Sequence, residues 1–221
     1  MEIAILEIYK KYNIPSNLQN HMLTATAMAK ILCENWIGPS VNMDDIITTM
    51  LIHDIGNIAK MDFSAQNTLP EENKNINFWQ NVQQEFIRKY GADDHIATFN
   101  VASELGLKPR ILWLVINKIF VHNELIAASS DYELKICAYS DQRTGPQGIV
   151  PLRDRFKELK IRYRNRPNAS INHPRIKYLI ESAYKIEKQV LKFTSLRSSS
   201  ITKNMVADKM KEVIEYAIRV N

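Results

Sequence analysis

The sequence predicts an all-α fold, and three observations carry that expectation. Apolar residues recur at spacings of three and four from end to end, while sustained apolar/polar alternation is hard to find. Glycine is scarce at 6 of 221 residues, where an average chain has about 7%. Sheet-rich folds with many tight turns, and dinucleotide-binding folds with a glycine loop, ordinarily use more. Hydrophobic residues are 45% and charged residues 24%, globular values that exclude a disordered or fibrous chain.

The elements follow in order. After a short first helix, Pro15 and Ser16 open a second through about Trp36, which Gly38 and Pro39 close. Asn42 caps a third, striped by Ile46, Ile47, Met50 and Leu51, with Gly56 expected at its stop. The stretch from Met61 to Lys74 is polar and irregular and is expected to be a loop over one end of the bundle. Helical pattern resumes through Phe78, Val82, Phe86 and Tyr90 and ends at Gly91. Asp93 or Asp94 caps the next helix, and Pro109 suits the first turn of another, with Leu112, Val115 and Ile119 expected inward. A helix from about Asp131 to Asp141 is followed by a turn from Arg143 to Gly148. Pro174 begins a long amphipathic helix with the stripe Leu179, Ala183, Ile186 and Val190. Past the serine-rich segment Ser195 to Thr202, a final helix is expected to carry Val206, Met210, Val213, Ala217 and Val220. These divide into residues 1–166, a metal-binding helical domain, and 167–221, a C-terminal helical extension packed on the core or at a partner interface.

Charge and cysteine usage bound the partners. The net charge of +5 equals that of one segment: Arg153 to Arg166 holds seven Lys or Arg and two acids. It reads as an amphipathic helix with a basic outer side, or as a rim that guides an anion. The segment has no interleaved exposed aromatics, so nucleic acid is only weakly supported as a partner. Cys33 and Cys137 sit in apolar helical patterns with no CxxC or Cys/His pair, as buried small hydrophobes do in a reducing compartment. With an acid at Glu2 and no run of about 18 apolar residues, a cytoplasmic protein with no membrane contact is expected.

Four of the five histidines fall where an apolar helix face would continue. His53 and Asp54 end the third helix's stripe, His122 follows Leu112, Val115 and Ile119, His95 precedes Phe99, and Asp141 follows Leu134 and Cys137. His21 lies on a face of small residues, near Thr24 and Ala25. Imidazoles and carboxylates converging from five helices make a poor purely structural core, because uncompensated buried carboxylates cost several kcal/mol each. A divalent ion neutralises them, and mixed imidazole and carboxylate ligation suits iron or manganese, with zinc, nickel, cobalt or magnesium as alternatives.

The order His21, His53-Asp54 and Asp141, with Leu51-Ile-His-Asp-Ile-Gly56 around the central pair, resembles the HD-domain superfamily of metal-dependent phosphohydrolases, in its HDIG subgroup. The resemblance spans about Asn17 to Arg155. It implies that His21, His53, Asp54 and Asp141 bind one metal ion, and that His95 and His122 match the further histidines of members that bind two, with Asp54 bridging. Asn57 stands where many HDIG members have lysine, with Lys60 one turn on, and His122-Asn123 stands where some members have two histidines. The GYP signature of cyclic-di-GMP phosphodiesterases is absent.

The resemblance implies hydrolysis of a phosphate ester, with a nucleotide or related small molecule as substrate and Asp54 at the catalytic centre. Two cations can lower the pKa of a bridging water and hold the phosphoryl oxygens it attacks. Lys60 and Arg143 are the candidate substrate-binding cations, and Asn57 and Gln142 are candidates to orient a ligand. Mixed-valent di-iron oxygenases of the same superfamily share the six-ligand order and form the alternative, as does a non-catalytic signalling module that keeps its metal for structure. The C-terminal helices would serve a homo-oligomer.

Overall fold

A computed structural model describes residues 1–63, 75–165 and 169–220. Most of the expected loop at 61–74, Arg166 of the basic segment and the proposed boundary at 166/167 lie outside the described residues.

The first strand β1 (Glu2–Ala4) leads into α1 (Ile5–Lys11) and the long α2 (Ser16–Glu34), which starts directly after Pro15. The next helix, α3 (Met43–Ile52), is capped as expected, since the Asn42 side chain accepts from the Asp45 amide. Every residue from Asp45 to Ile52 is buried, so α3 is wrapped on all sides rather than along one stripe. A 3-10 turn, Ile55–Lys60, follows. The pattern continues with α4 (Ile76–Tyr90), α5 (Asp94–Glu104), α6 (Pro109–Asn117), α7 (Asn123–Ala128) and α8 (Tyr132–Arg143). A small hairpin, β2 (Thr144–Gly145) and β3 (Gly148–Ile149), leads to α9 (Leu152–Arg162), α10 (Ile176–Leu191), α11 (Lys203–Val213) and β4 (Ala217–Arg219). The fold is all-α, with these tiny strands its only sheet among the described residues.

Three elements depart from expectation, each for a visible reason. Gly56 does not stop α3, which already ends at Ile52. It lies inside the 3-10 turn, where a Cβ would fall on the Asp94 carbonyl and on Thr98, so the glycine is required by the close approach of α5. Its amide donates to Thr98 Oγ1 at 3.0 Å. The helix after Pro109 does not run on to His122: α6 ends at Asn117, a second 3-10 turn spans Phe120–His122, and α7 starts afresh. The last helix ends at Val213, and Ala217–Arg219 pairs antiparallel with Glu2–Ala4. There Ile218 and Val220 are buried while Arg219 is exposed, a period of two that a helix cannot produce.

The C-terminal segment packs on the rest of the chain. Residues of α10 and α11 (Ala183, Ile186, Val190, Val206, Val213) join the same apolar cluster as those of α2, α3 and α8. In the basic segment, Leu152 and Phe156 face this core, while Arg155 and Arg162 pair with Glu158 and Arg153 with Asp154, so much of its charge is balanced within α9. Both cysteines are free, Cys137 buried and Cys33 half-buried; burial pushes both thiols up, Cys33 to about 12. Among the described residues no single helix is long and apolar enough to cross a membrane.

A candidate metal centre

The centre is assembled from three helix segments around the end of α3. His53 is the C-cap residue of α3, and Tyr9 donates to the adjacent Leu51 carbonyl at 2.6 Å from α1. His53 Nδ1 lies 2.6 Å from the Met50 carbonyl. A carbonyl only accepts, so Nδ1 donates to it and Nε2 is the ring atom that faces the centre. This Nε2 is buried and has no hydrogen-bond partner, an uncommon condition for a buried polar atom and one that a Lewis acid relieves. Asp54 follows at the start of the 3-10 turn, and Asn57 Nδ2, three residues on, donates to its Oδ2 at 2.6 Å. His21 enters from α2 and Asp141 from the last turns of α8.

The donor atoms converge. His21 Nε2 lies 3.3 Å from both Asp54 Oδ2 and Asp141 Oδ1; His53 Nε2 lies 3.7 Å from the first and 3.4 Å from the second. Nitrogen and oxygen ligands about 2.0–2.2 Å from a tetrahedrally bound ion stand about 3.4 Å apart. The separations and the borderline-hard N₂O₂ donor set therefore fit a divalent ion, and the four residues His21, His53, Asp54 and Asp141 can hold one. His53 is closed off from solvent, whereas the side chains of His21, Asp54 and Asp141 are 21%, 16% and 23% exposed, so the centre opens on one side.

A fifth residue, which the sequence reading missed, completes the floor. Lys118 is 2% exposed, and its Nζ lies 2.8 Å from Asp141 Oδ2 and 3.3 Å from Asp54 Oδ1. It belongs to the inward face of α6, where Ile111, Leu114 and Val115 are buried at the helical spacing i, i+3 and i+4, and Lys118 is i+7. That stripe is one position out of phase with the expected one of Leu112, Val115 and Ile119. A lysine ending an apolar stripe was the available signal.

The charges hold one another in place. Burial opposes ionisation of both carboxyls, but the Lys118 ammonium and the neighbouring imidazoles outweigh it and keep Asp54 and Asp141 well below the usual carboxylate range. Burial likewise acts to lower the His21 pKa, yet its hydrogen bonds with Asp141 and Asp54 prevail and raise it to about 9. At neutral pH two carboxylates thus face Lys118 and a protonated His21, and that proton is what a cation displaces on binding.

The remaining predicted residues are not among these four donors. His95, in the first turn of α5, is partly exposed, its Nδ1 3.7 Å from Asp94; burial lowers its pKa, with the charges of Lys118 and Lys60 acting in the same direction. His122 sits in the 3-10 turn with Nδ1 3.3 Å from the Asn117 carbonyl. Neither belongs to the group of converging donors; the break after Asn117 removes His122 from the α6 face on which the prediction placed it. Lys60 is half-exposed and bonded to Asp94. Arg143 is committed to the C-terminal segment: its guanidinium donates to the Val150 carbonyl at 2.5 Å, Tyr139 Oη at 2.7 Å and Ser198 Oγ at 2.8 Å, with Glu187 at 3.8 Å. Gln142 exchanges two amide hydrogen bonds with the buried Asn123.

Compared with protein-family models, curated proteins and solved structures, the chain matches none of them.

Proposed function

We propose that the protein is a metal-dependent phosphohydrolase that cleaves a phosphate ester of a nucleotide or related small molecule at the His21, His53, Asp54 and Asp141 centre. The observation that carries this reading is the convergence of four donor atoms that all lie within 4.8 Å of one another, among them a buried His53 Nε2 that makes no hydrogen bond. The resemblance of the same four residues to the HD-domain pattern supports it. At such a donor set a divalent ion, with iron or manganese preferred by the mixed ligands, supplies an activated water near neutral pH and polarises a phosphoryl oxygen.

The chain's own groups do the rest. Asp54 is kept ionised by Lys118 and oriented by Asn57, so its carboxylate faces the centre in a fixed direction. Lys60 and His95, with side chains 53% and 38% exposed, are the groups to meet the departing half of the ester.

Protein loaded with Mn²⁺ or Fe²⁺ is expected to hydrolyse members of a panel of nucleotides and generic phosphodiesters, and His53→Ala to lose about 10³-fold in kcat/KM or more, on the scale of a lost Lewis acid. Absence of hydrolysis across the panel by metal-loaded protein, with His53→Ala indistinguishable from the parent, contradicts the proposal.

A further inference from the structure

We propose that Lys118 limits this centre to one metal ion per chain, its ammonium occupying the place that a second cation would need. The inference rests on the metal-centre reading above and concerns its stoichiometry. Each carboxylate divides its two oxygens between different partners. Asp54 Oδ2 and Asp141 Oδ1 face the imidazoles, while Asp54 Oδ1 and Asp141 Oδ2 face Lys118 Nζ at 3.3 and 2.8 Å. A carboxylate that bridges two ions through both of its oxygens needs the second one free, and here the second oxygen of each is already held by a positive charge.

That charge has nowhere else to go. Lys118 is 2% exposed, and it ends the buried face of α6 formed by Ile111, Leu114 and Val115. Turning its side chain aside would bury an ammonium without a partner, which costs several kcal/mol. The charge count agrees: one divalent ion beside Lys118 and two carboxylates leaves +1, whereas two ions leave +3 in a largely enclosed site. Lys118 is too deeply buried to touch a substrate. It is a positioning residue, fixing both carboxylates and setting the number of ions.

The test counts metal in the folded protein by equilibrium dialysis against Mn²⁺, with elemental analysis and electron paramagnetic resonance. The wild-type chain is expected to saturate at one ion with an uncoupled spectrum. Lys118→Met and Lys118→Gln, which free the second carboxylate oxygens, are expected to rise toward two ions with a spin-coupled spectrum. A lysine with a merely structural role would instead lower metal content when replaced. Two ions in the wild-type chain overturn the proposal, as does a single ion in both folded variants. If neither variant folds, the wild-type count decides alone. No ion in the wild-type chain sinks the metal-centre reading itself, an outcome distinct from a count of two.

Discussion

Two polar nodes of this molecule each bring a cationic side chain against acidic partners, and they behave differently. Around Arg143, on the C-terminal side, the guanidinium, Tyr139, Ser198, Glu187 and the Val150 carbonyl satisfy one another. Around His53, five polar side chains meet from α2, α3, α6 and α8 and the turn after α3, and the innermost donor atom remains without a partner. The closed node is structural, tying α8 and α10 to the serine-rich segment. The open one is arranged for a ligand and is expected to lower the stability of the metal-free chain, because buried polar groups held short of full satisfaction persist where function requires them.

The largest expected effect tests the closed node. Arg143→Met leaves the Val150 carbonyl, Tyr139 and Ser198 without the guanidinium donor and Glu187 without its nearby positive charge, and is expected to cost about 3–5 kcal/mol, the range for breaking a buried pair from one side. Chemical denaturation measures this, and the variant's folded fraction should still bind metal normally. Loss of metal at full stability would place Arg143 back at the site and dissolve the contrast. The open node should respond in the opposite sense: Mn²⁺ at about 100 times its dissociation constant should stabilise the wild-type chain by about 2.7 kcal/mol. Thermal unfolding with and without chelator reads this out, and the increment should vanish in Asp141→Asn.

How far these nodes were legible in the sequence follows from their geometry. His21, His53, Asp54 and Asp141 each sit on a helix or at its end, where a period of 3.6 carries a residue's direction reliably over one or two turns. His122 was placed by extending the α6 period across a break at Asn117 that no proline or glycine marks. The same phase error hid Lys118. Arg143 was assigned by its nearness in sequence to Asp141, but residues two apart on a helix point about 200° apart, and Arg143 accordingly faces the other node. The pairing of β1 with β4 joins residues more than 200 positions apart through strands of three residues, too short for alternation to announce them.

A smaller effect probes the backbone that carries the open node. Gly56→Ala sets a methyl group against the Asp94 carbonyl and Thr98, and should destabilise the chain by about 1–3 kcal/mol, as overpacking does. It should also weaken metal binding by shifting Asp54; unchanged affinity would show that the turn adapts without moving the ligand. The smallest effect concerns a surface node away from both. Glu104 accepts from Tyr12 and Tyr90 and pairs with Lys89 and Lys11. Burial opposes its ionisation, but the hydrogen bonds from Lys89 and the two tyrosines together outweigh it and lower its pKa from 4.5 to about 2. A depressed carboxyl stabilises the fold fully above its unfolded value, and this contribution is lost as pH falls from about 4.5 toward 2. Glu104→Gln should therefore flatten stability in that window, by no more than about 1 kcal/mol for so exposed a group.

The most direct test of the account is anomalous diffraction at the manganese edge from crystals of the wild-type chain grown with Mn²⁺. The account predicts a single strong peak between His21 Nε2, His53 Nε2, Asp54 Oδ2 and Asp141 Oδ1, with Lys118 Nζ still on the opposite carboxylate oxygens. A peak only at His95 or His122, or none at the four-residue centre at saturating Mn²⁺, would contradict it.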